Sequence, residues 1–144
     1  MSAPNQSTEP NRGQLAYAWW RQLQPLVPES GQKLPGDRAT LARLRRAGSL
    51  YDAAAEPETI RLFKALGLRD PERHLGRVAV VAAVLAHVRE QPRPNVRVAR
   101  ALGSPRSGQS EGAVYSSLRL RRLLATRGDD DLLIAFRRVV AILK

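Results

Sequence analysis

A run of nine apolar residues, Val78 to Ala86, most constrains what this chain of 144 residues can fold into. The run lies within a predicted helix. Asp70 and Pro71 mark the start of this helix, which extends to about Glu90. A helix that is apolar on every side must be buried on most of them. The run is far shorter than the roughly 20 residues of a membrane span. We therefore expect this helix to form the centre of a helical bundle.

Helix signals recur along the rest of the chain, whereas strand signals are nearly absent. Leu15, Trp19 and Leu23 repeat every four residues, which is typical of one face of a helix. Capping residues, prolines and glycines mark further predicted helices over residues 38–47, 57–67, 96–102, 113–126 and 130–143. The sequence therefore predicts an all-α fold. We expect a compact bundle of about seven helices, arranged as one body or as two small helical lobes around the buried central helix.

Composition and loop signals predict one domain with a tail. Residues 1–12 are polar and include two prolines, which indicates a mobile tail and is unlike a signal or transit peptide. We expect a single helical domain over residues 13–144, because 43% of the chain is apolar, enough for one core. Residues 104–112 are typical of a flexible loop. The chain has no cysteine, which excludes disulfides and fits a cytoplasmic location.

The charge of the chain predicts a polyanionic partner. Lys and Arg total 24 against 13 Asp and Glu, a net charge of +11, whereas solubility of a small domain needs about 2–8 charges. Nucleic acid is the first candidate, an anionic membrane surface the second and an acidic protein the third. All but three of the basic residues are arginines, which bind phosphate through a planar fork. A GC-rich genome also favours arginine over lysine, but it does not explain the excess of base over acid.

Residues that could build a catalytic site are scarce. The two histidines, His74 and His87, belong to no metal-binding motif. Residues 103–112 lack the Lys-Ser/Thr ending of a phosphate-binding loop, and no predicted strand precedes them. The acidic run 129–131 could hold a metal ion, but negative charge at a predicted helix start is already explained by the helix dipole. We expect no catalytic activity, no cofactor, no bound metal and no small-molecule substrate.

Arginines cluster on three predicted helices and form the candidate binding surface. On the helix over residues 38–47, Leu41 and Leu44 define the apolar face, so the arginines flank that face or point into solvent. The residues that we expect to bind nucleic acid are Arg38, Arg43, Arg45, Arg46, Lys64, Arg119, Arg121, Arg122 and Arg137.

The second cluster lies on the helix predicted over residues 113–126. There Leu120, Leu123 and Leu124 fall within about 100° of one another and are expected to face the core, which leaves the arginines outside. The alternative for all three clusters is a set of solvated helix faces with ordinary salt bridges. Arg121 could in particular belong to a structural ion pair, because apolar residues lie on its side of the helix.

The adjacent Trp19 and Trp20 point about 100° apart on the first predicted helix. Trp19 shares the stripe of Leu15 and Leu23 and is expected in the core. Trp20 is expected to stack on a base or a nucleotide sugar, or to pack against a neighbouring subunit. Aromatic residues make up 5% of the chain, too few for a platform that stacks single strands. The sequence therefore predicts contact with the nucleic-acid backbone and weak sequence preference.

Three segments of the chain occur in an order and at a spacing that are found in one known family: Trp19–Leu23, Gly36–Ala47 and Leu118–Leu124. The segments Arg77–Val88 and Arg137–Leu143 are also similar to that family. The set resembles the CasB family, the small subunit of the type I-E CRISPR surveillance complex Cascade. The resemblance covers residues 14–143, and it departs from the family at Leu120, where an aromatic residue is more common.

This resemblance implies an all-helical protein without catalytic activity that assembles with the crRNA-guided Cascade subunits. It further implies two copies packed head to tail, which line a basic path for the opened target DNA. The path would hold both the heteroduplex with the guide and the displaced single strand. Guide pairing carries the sequence specificity, and R-loop formation is close to energetic balance, so a few arginine–phosphate contacts suffice to stabilise it. The implied function is R-loop stabilisation in antiviral defence.

Two other functions are compatible with the sequence. An independent DNA-binding regulator of helix-turn-helix type would bind one duplex sequence on its own, with a Kd of about 10⁻⁸ M or tighter. A purely structural adaptor would use its basic residues for solubility and subunit contacts. Loss of arginines would then disturb assembly and leave nucleic-acid affinity unchanged. A membrane-surface function is disfavoured, because no single helix pairs a basic face with a bulky aromatic one.

Overall fold

Local signals at helix ends account for most of the observed architecture. The computed structural model describes residues 11–26, 29–89, 97–105, 108 and 112–143. These residues form eight helices: α1 (Arg12–Leu23), α2 (Arg38–Arg46), α3 (Leu50–Ala55), α4 (Pro57–Ala65), α5 (Pro71–Leu85), α6 (Val98–Gly103), α7 (Ser117–Ala125) and α8 (Asp129–Leu143). Within these ranges there is no β-strand, and a single isolated bridge joins Leu26 to Leu34. The predicted all-α fold is confirmed.

The predicted starts of α2, α4 and α5 are confirmed, and each has a physical cause. Asp37 caps α2 by accepting hydrogen bonds from the backbone N–H and the hydroxyl of Thr40, at 2.9 and 2.7 Å. Asp70 accepts a hydrogen bond from the backbone N–H of Arg73 at the start of α5, at 3.2 Å. Pro57 occupies the first turn of α4, where a residue without an N–H is tolerated. These residues set where the helices around the core begin.

The helix α5 lies at the centre of the bundle, as its apolar run predicts. It packs against α2, α3, α4 and α8. Its alanines at positions 79, 82 and 83 have no exposed surface, and their small side chains let neighbouring helices approach closely. Val81 is 40% exposed, so one side of the helix reaches solvent. The helix ends at Leu85, earlier than the predicted end at Glu90, which lies outside the described residues.

Both tryptophans of α1 belong to the core. The indole N–H of Trp19 donates to the carbonyl oxygen of Glu58 at 2.9 Å, and that of Trp20 donates to the carbonyl oxygen of Val88 at 3.2 Å. The expectation that Trp20 stacks on a base or packs against another subunit is therefore wrong, because only 3% of its surface is exposed. The segment that follows α5 lies against α1 and supplies the hydrogen-bond acceptor that a buried indole needs.

The number of helices and several helix starts differ from the sequence prediction. The prediction missed α3, which is six residues long and too short to show an apolar repeat. Its start is nevertheless marked by a capping box between Ser49 and Asp52. The helix predicted from residue 113 begins at Ser117, after its cap Ser116.

Some predictions fall on residues outside the described ranges. These residues include most of the tail, the predicted break near residues 92–94 with the cap Asn95, and parts of the loop at 104–112. At the end of the predicted tail, Arg12 belongs to α1, and Asn11 caps this helix by accepting a hydrogen bond from the backbone N–H of Gly13 at 2.9 Å.

A second, smaller apolar cluster lies beside the main core. It consists of the buried side chains of Leu102, Tyr115 and Val139, with Leu123 and Ile142 partly buried against them. The second half of α8 contributes to this cluster, whereas the first half packs into the main core. The helix α8 therefore joins the two clusters.

Little buried surface holds α7 to the rest of the protein. None of its residues is buried, although Leu123 packs partly against the second cluster. Leu120 and Leu124, which the sequence predicts to face the core, are 42% and 67% exposed. That prediction is wrong because helical periodicity shows which residues share a face but not whether another element covers it.

The Asp37 cap predicts a pH-dependent stability. Hydrogen bonds from Thr40, with a smaller contribution from the charge of Arg43, hold the pKa of Asp37 below its ordinary value. A carboxyl with a pKa lowered by folding stabilises the protein above its unfolded-state pKa, and the contribution is lost as the pH falls through the folded-state value. We expect Asp37→Ala to lower the free energy of unfolding by about 1 kcal/mol at neutral pH. This difference should begin to shrink as the pH approaches the ordinary Asp pKa of about 4, and it should shrink further below that pH.

Urea titrations of the wild type and the variant across this pH range measure the effect. The control is Asp37→Asn, which keeps a good capping side chain without an ionisable group. It should retain most of the stability at neutral pH. A difference between the wild type and Asp37→Ala that stays constant with pH would contradict the role assigned to the carboxylate.

Candidate nucleic-acid interface

The Arg43 side chain on α2 forms an ion pair. Its Nε lies 3.0 Å from each carboxylate oxygen of Glu56, and its Nη2 donates to the hydroxyl of Thr40 at 2.9 Å. The side chain is about half exposed, at 49%. A phosphate could reach this guanidinium, but the Glu56 carboxylate offsets part of its attraction.

The Arg45 side chain ties α2 to the end of α5. Its Nε donates a hydrogen bond to the carbonyl oxygen of Ala86. Burial lowers the pKa of this guanidinium, and the charge of Arg89 lowers it further. Because arginine stays charged at physiological pH, the backbone carbonyl stabilises a partly buried cation here. This predicted binding residue is thus engaged in a contact within the protein.

Arg137 makes a comparable contact from α8. Its Nη1 donates to the carbonyl oxygen of Ala47 at 2.9 Å, and its Nη2 donates to that of Leu44 at 3.1 Å. Burial lowers the pKa of Arg137. The two carbonyls belong to the C-terminal end of α2, where a cation complements the helix dipole and pairs with acceptors that the helix leaves open. Arg137 therefore fastens α8 to the end of α2.

Arg138 forms the third arginine cluster together with Arg137, but only Arg137 was among the residues predicted to bind. Arg138 is exposed and lines a cleft between α7 and α8. Helical spacing alone could have shown which arginine of the pair is exposed. Arg137 follows the buried Leu133 by four residues and therefore lies on the same, buried face of α8. Arg138 lies about 100° further round the helix and points away from the core.

The three arginines of α7 are exposed. Ser116 caps the helix by accepting a hydrogen bond from the backbone N–H of Arg119 at 3.3 Å, so α7 presents Arg119, Arg121 and Arg122 within its first two turns. Among the described residues, no carboxylate or carbonyl oxygen pairs with their guanidinium groups. The structural ion pair considered for Arg121 finds no partner in this part of the chain.

Arg38, Arg46 and Lys64 are exposed as well. The two arginines lie at opposite ends of α2, and Lys64 lies in the last turn of α4. Their side chains have no hydrogen-bond or ion-pair partner within the described ranges. The predicted residues thus divide into a group with internal partners (Arg43, Arg45, Arg137) and a group with none among the described residues (Arg38, Arg46, Lys64, Arg119, Arg121, Arg122).

The acidic run at the start of α8 contacts neighbouring helices. Asp130 accepts a hydrogen bond from the backbone N–H of Leu50 at 3.1 Å, and Asp129 lies 3.9 Å from the guanidinium of Arg77. In the described part of the chain, no group of three His, Asp or Glu side chains could hold a metal ion. None of the helices described is long and apolar enough to cross a membrane.

Arg137 and Arg138 should respond differently to substitution. Arg137→Ala leaves the carbonyls of Leu44 and Ala47 without their donor, so we expect the free energy of unfolding to fall by about 2–3 kcal/mol. Arg138→Ala removes the same kind of side chain from an exposed position and should change it by less than about 0.5 kcal/mol. Urea unfolding followed by the fluorescence of the buried tryptophans measures both values. Equal losses would contradict the structural role of Arg137.

Comparison with known proteins identifies a family. Residues 40–144 match the family model of CRISPR-associated protein Cse2. No curated protein and no solved structure matches the chain. The family match covers well over half of the chain, nearly all of α2 and every later helix. The chain therefore belongs to the Cse2 family, which is the CasB family of type I-E Cascade that its sequence resembles.

Proposed function

We propose that this Cascade subunit has no catalytic activity and holds the sugar–phosphate backbone of opened DNA, so that it stabilises the R-loop in antiviral defence. The observation that carries the proposal is the set of exposed α7 arginines without a carboxylate partner among the described residues. A cation without an internal partner keeps its full attraction for phosphate. The net charge of +11 adds a longer-range attraction for a polyanion.

The residues proposed to contact DNA come from four helices. They are the α7 arginines, Arg38 and Arg46 of α2, Lys64 of α4 and Arg138 of α8. Arg45 and Arg137, which were also predicted to bind, fasten α2 to its neighbours, so their loss would weaken binding mainly through the positions of the other helices. Arg43, also predicted to bind, is about half exposed, and its pairing with Glu56 offsets part of its attraction for phosphate.

The proposed ligands are the displaced single strand and the guide–target heteroduplex, held together with the crRNA-bearing Cascade subunits and a second copy of this chain in the cytoplasm. Because guide pairing reads the sequence, a subunit that recognises only charge and backbone is sufficient. The exchange of DNA duplex for heteroduplex is nearly balanced in free energy. A few phosphate contacts therefore shift it towards the open state.

Removal of the α7 arginines should weaken DNA binding and its dependence on salt. Each lost phosphate contact with single-stranded DNA lowers the slope of log K against log salt concentration by about 0.7. We expect the Arg119→Ala/Arg121→Ala/Arg122→Ala variant to lose a slope of about 2. Fluorescence anisotropy with an unrelated oligonucleotide of about 20 nucleotides, across a salt series, measures it.

The matched control removes three arginines that have carboxylate partners. Arg43→Ala/Arg61→Ala/Arg77→Ala lowers the net charge equally, but these side chains lie near Glu56, Glu58 and Asp129. This variant should retain most of the slope. Equal losses in both variants would show that net charge, not α7, carries the binding. Unchanged binding in both would favour the structural adaptor, and tight binding to one duplex sequence would favour the independent regulator.

In reconstituted Cascade, the α7 variant should shorten the lifetime of the R-loop. We expect the complex to assemble, because the α7 arginines contribute nothing to the buried core. We expect the R-loop to dissociate at least about tenfold faster, because three phosphate contacts are lost. A probe that reacts only with single-stranded DNA measures this lifetime, because the displaced strand stops reacting when the R-loop closes. A complex that fails to assemble with the folded variant would assign α7 to subunit contacts instead.

A further inference from the structure

The cleft between α7 and α8 is lined by both basic and apolar side chains. Contact with the sugar–phosphate backbone of DNA would account for the basic side chains but not for the apolar ones. The cleft is open to the surface and has a volume of about 760 Å³. Three arginines line it, Arg119 and Arg122 from α7 and Arg138 from α8. Apolar side chains from both helices line it as well, among them Leu123, Ile134 and Ile142.

The charge of the cleft favours an anion. Its three arginines come from two helices and converge on one space, and the carboxylate that lines the same space is Asp131 in the first turn of α8. Two or three guanidinium groups around one cleft provide the planar donors that bind phosphate oxygens in a bidentate manner. The cation excess therefore selects a phosphate-bearing ligand.

The apolar lining favours a ligand that also has an apolar face. Ile134 is 50% exposed, and Leu123 and Ile142 are only partly buried. Burying exposed apolar surface under a flat, weakly polar group, such as a nucleic-acid base, lowers the free energy of the complex. In duplex DNA the bases are stacked inside and the backbone faces the protein. In a single strand an unpaired base can turn out and pack against protein side chains.

We propose that the α7–α8 cleft binds an unpaired nucleotide of a single strand. Arg119, Arg122 and Arg138 hold the phosphates, and the base packs against the apolar lining around Ile134. The inference rests on the proposed function and adds two properties to it. Single-stranded DNA is preferred over duplex, and the bases contribute to affinity without being distinguished from one another, because every base has an apolar face. The sequence alone predicts contact with the backbone.

A strand without bases tests this inference separately from phosphate binding. The two probes are an oligothymidylate of about 12 nucleotides and an abasic deoxyribose–phosphate oligomer of the same length. We expect the wild-type protein to bind the oligothymidylate about tenfold tighter. The salt slopes of the two probes should be parallel, because their phosphates are the same. Fluorescence anisotropy across one salt series provides both measurements.

A substitution in the cleft locates the base contact. Ile134→Asn replaces a half-exposed apolar side chain by a polar one of similar size and leaves the charge unchanged. We expect it to reduce the difference between the two probes to less than about threefold, with the affinity for the abasic oligomer unchanged. The matched control is Leu124→Ala, which removes an exposed apolar side chain that does not line the cleft. It should keep the full difference, and circular dichroism checks that both variants are folded.

The outcomes separate this inference from the function on which it rests. Equal affinity of the wild type for the two probes would overturn the base contact and leave backbone binding intact. A difference that persists in Ile134→Asn would place the base elsewhere and overturn the assignment of the cleft. Binding of neither probe at low salt would overturn the proposed function as well. Tighter binding of an acidic amphipathic peptide, in competition with the oligothymidylate, would assign the cleft to a protein partner and also overturn the inference.

Discussion

The burial of α5 is the constraint on which the other helices depend. Its small side chains at positions 79, 82 and 83 are fully buried and allow α2, α3, α4 and α8 to approach closely. Close packing of this kind leaves helix ends near the core, where their carbonyl groups need donors. Arg45 supplies a donor at the end of α5, and Arg137 supplies two at the end of α2. Two arginines of a very basic chain are thus part of its packing.

Arginine therefore has two uses in this protein, and they follow from its surroundings. Near the core, a guanidinium reaches several carbonyl oxygens at once and compensates for its own desolvation. On α7 the same group stays solvated, because the helix buries none of its residues. Its charge remains available to an external anion. The net charge of +11 consequently overstates the size of the proposed binding surface. The arginines without a partner among the described residues describe that surface better.

The weak attachment of α7 connects stability with function. Its contact with the second apolar cluster runs through Leu123, and its remaining leucines are exposed. An element with few buried contacts has a low local stability and opens easily. The cleft that separates it from α8 follows from the same loose packing. On α7, exposed leucines lie beside arginines that have no partner in the described part of the chain. This combination suits the proposed contact with a ligand that has both phosphate and apolar surface.

The sequence by itself determined the all-α class, the central place of α5 and the helix starts at Asp37, Pro57 and Asp70. These features depend on the helical period and on capping contacts between residues a few positions apart. Tertiary structure decided that Trp20 is buried and that the leucines of α7 are exposed. It also decided which arginines form hydrogen bonds or ion pairs within the protein. Those outcomes depend on residues that are distant in the chain, as when Arg137 reaches carbonyl groups 90 and 93 positions away. Periodicity shows that side chains share a face, but only the packing of the whole chain settles what that face meets.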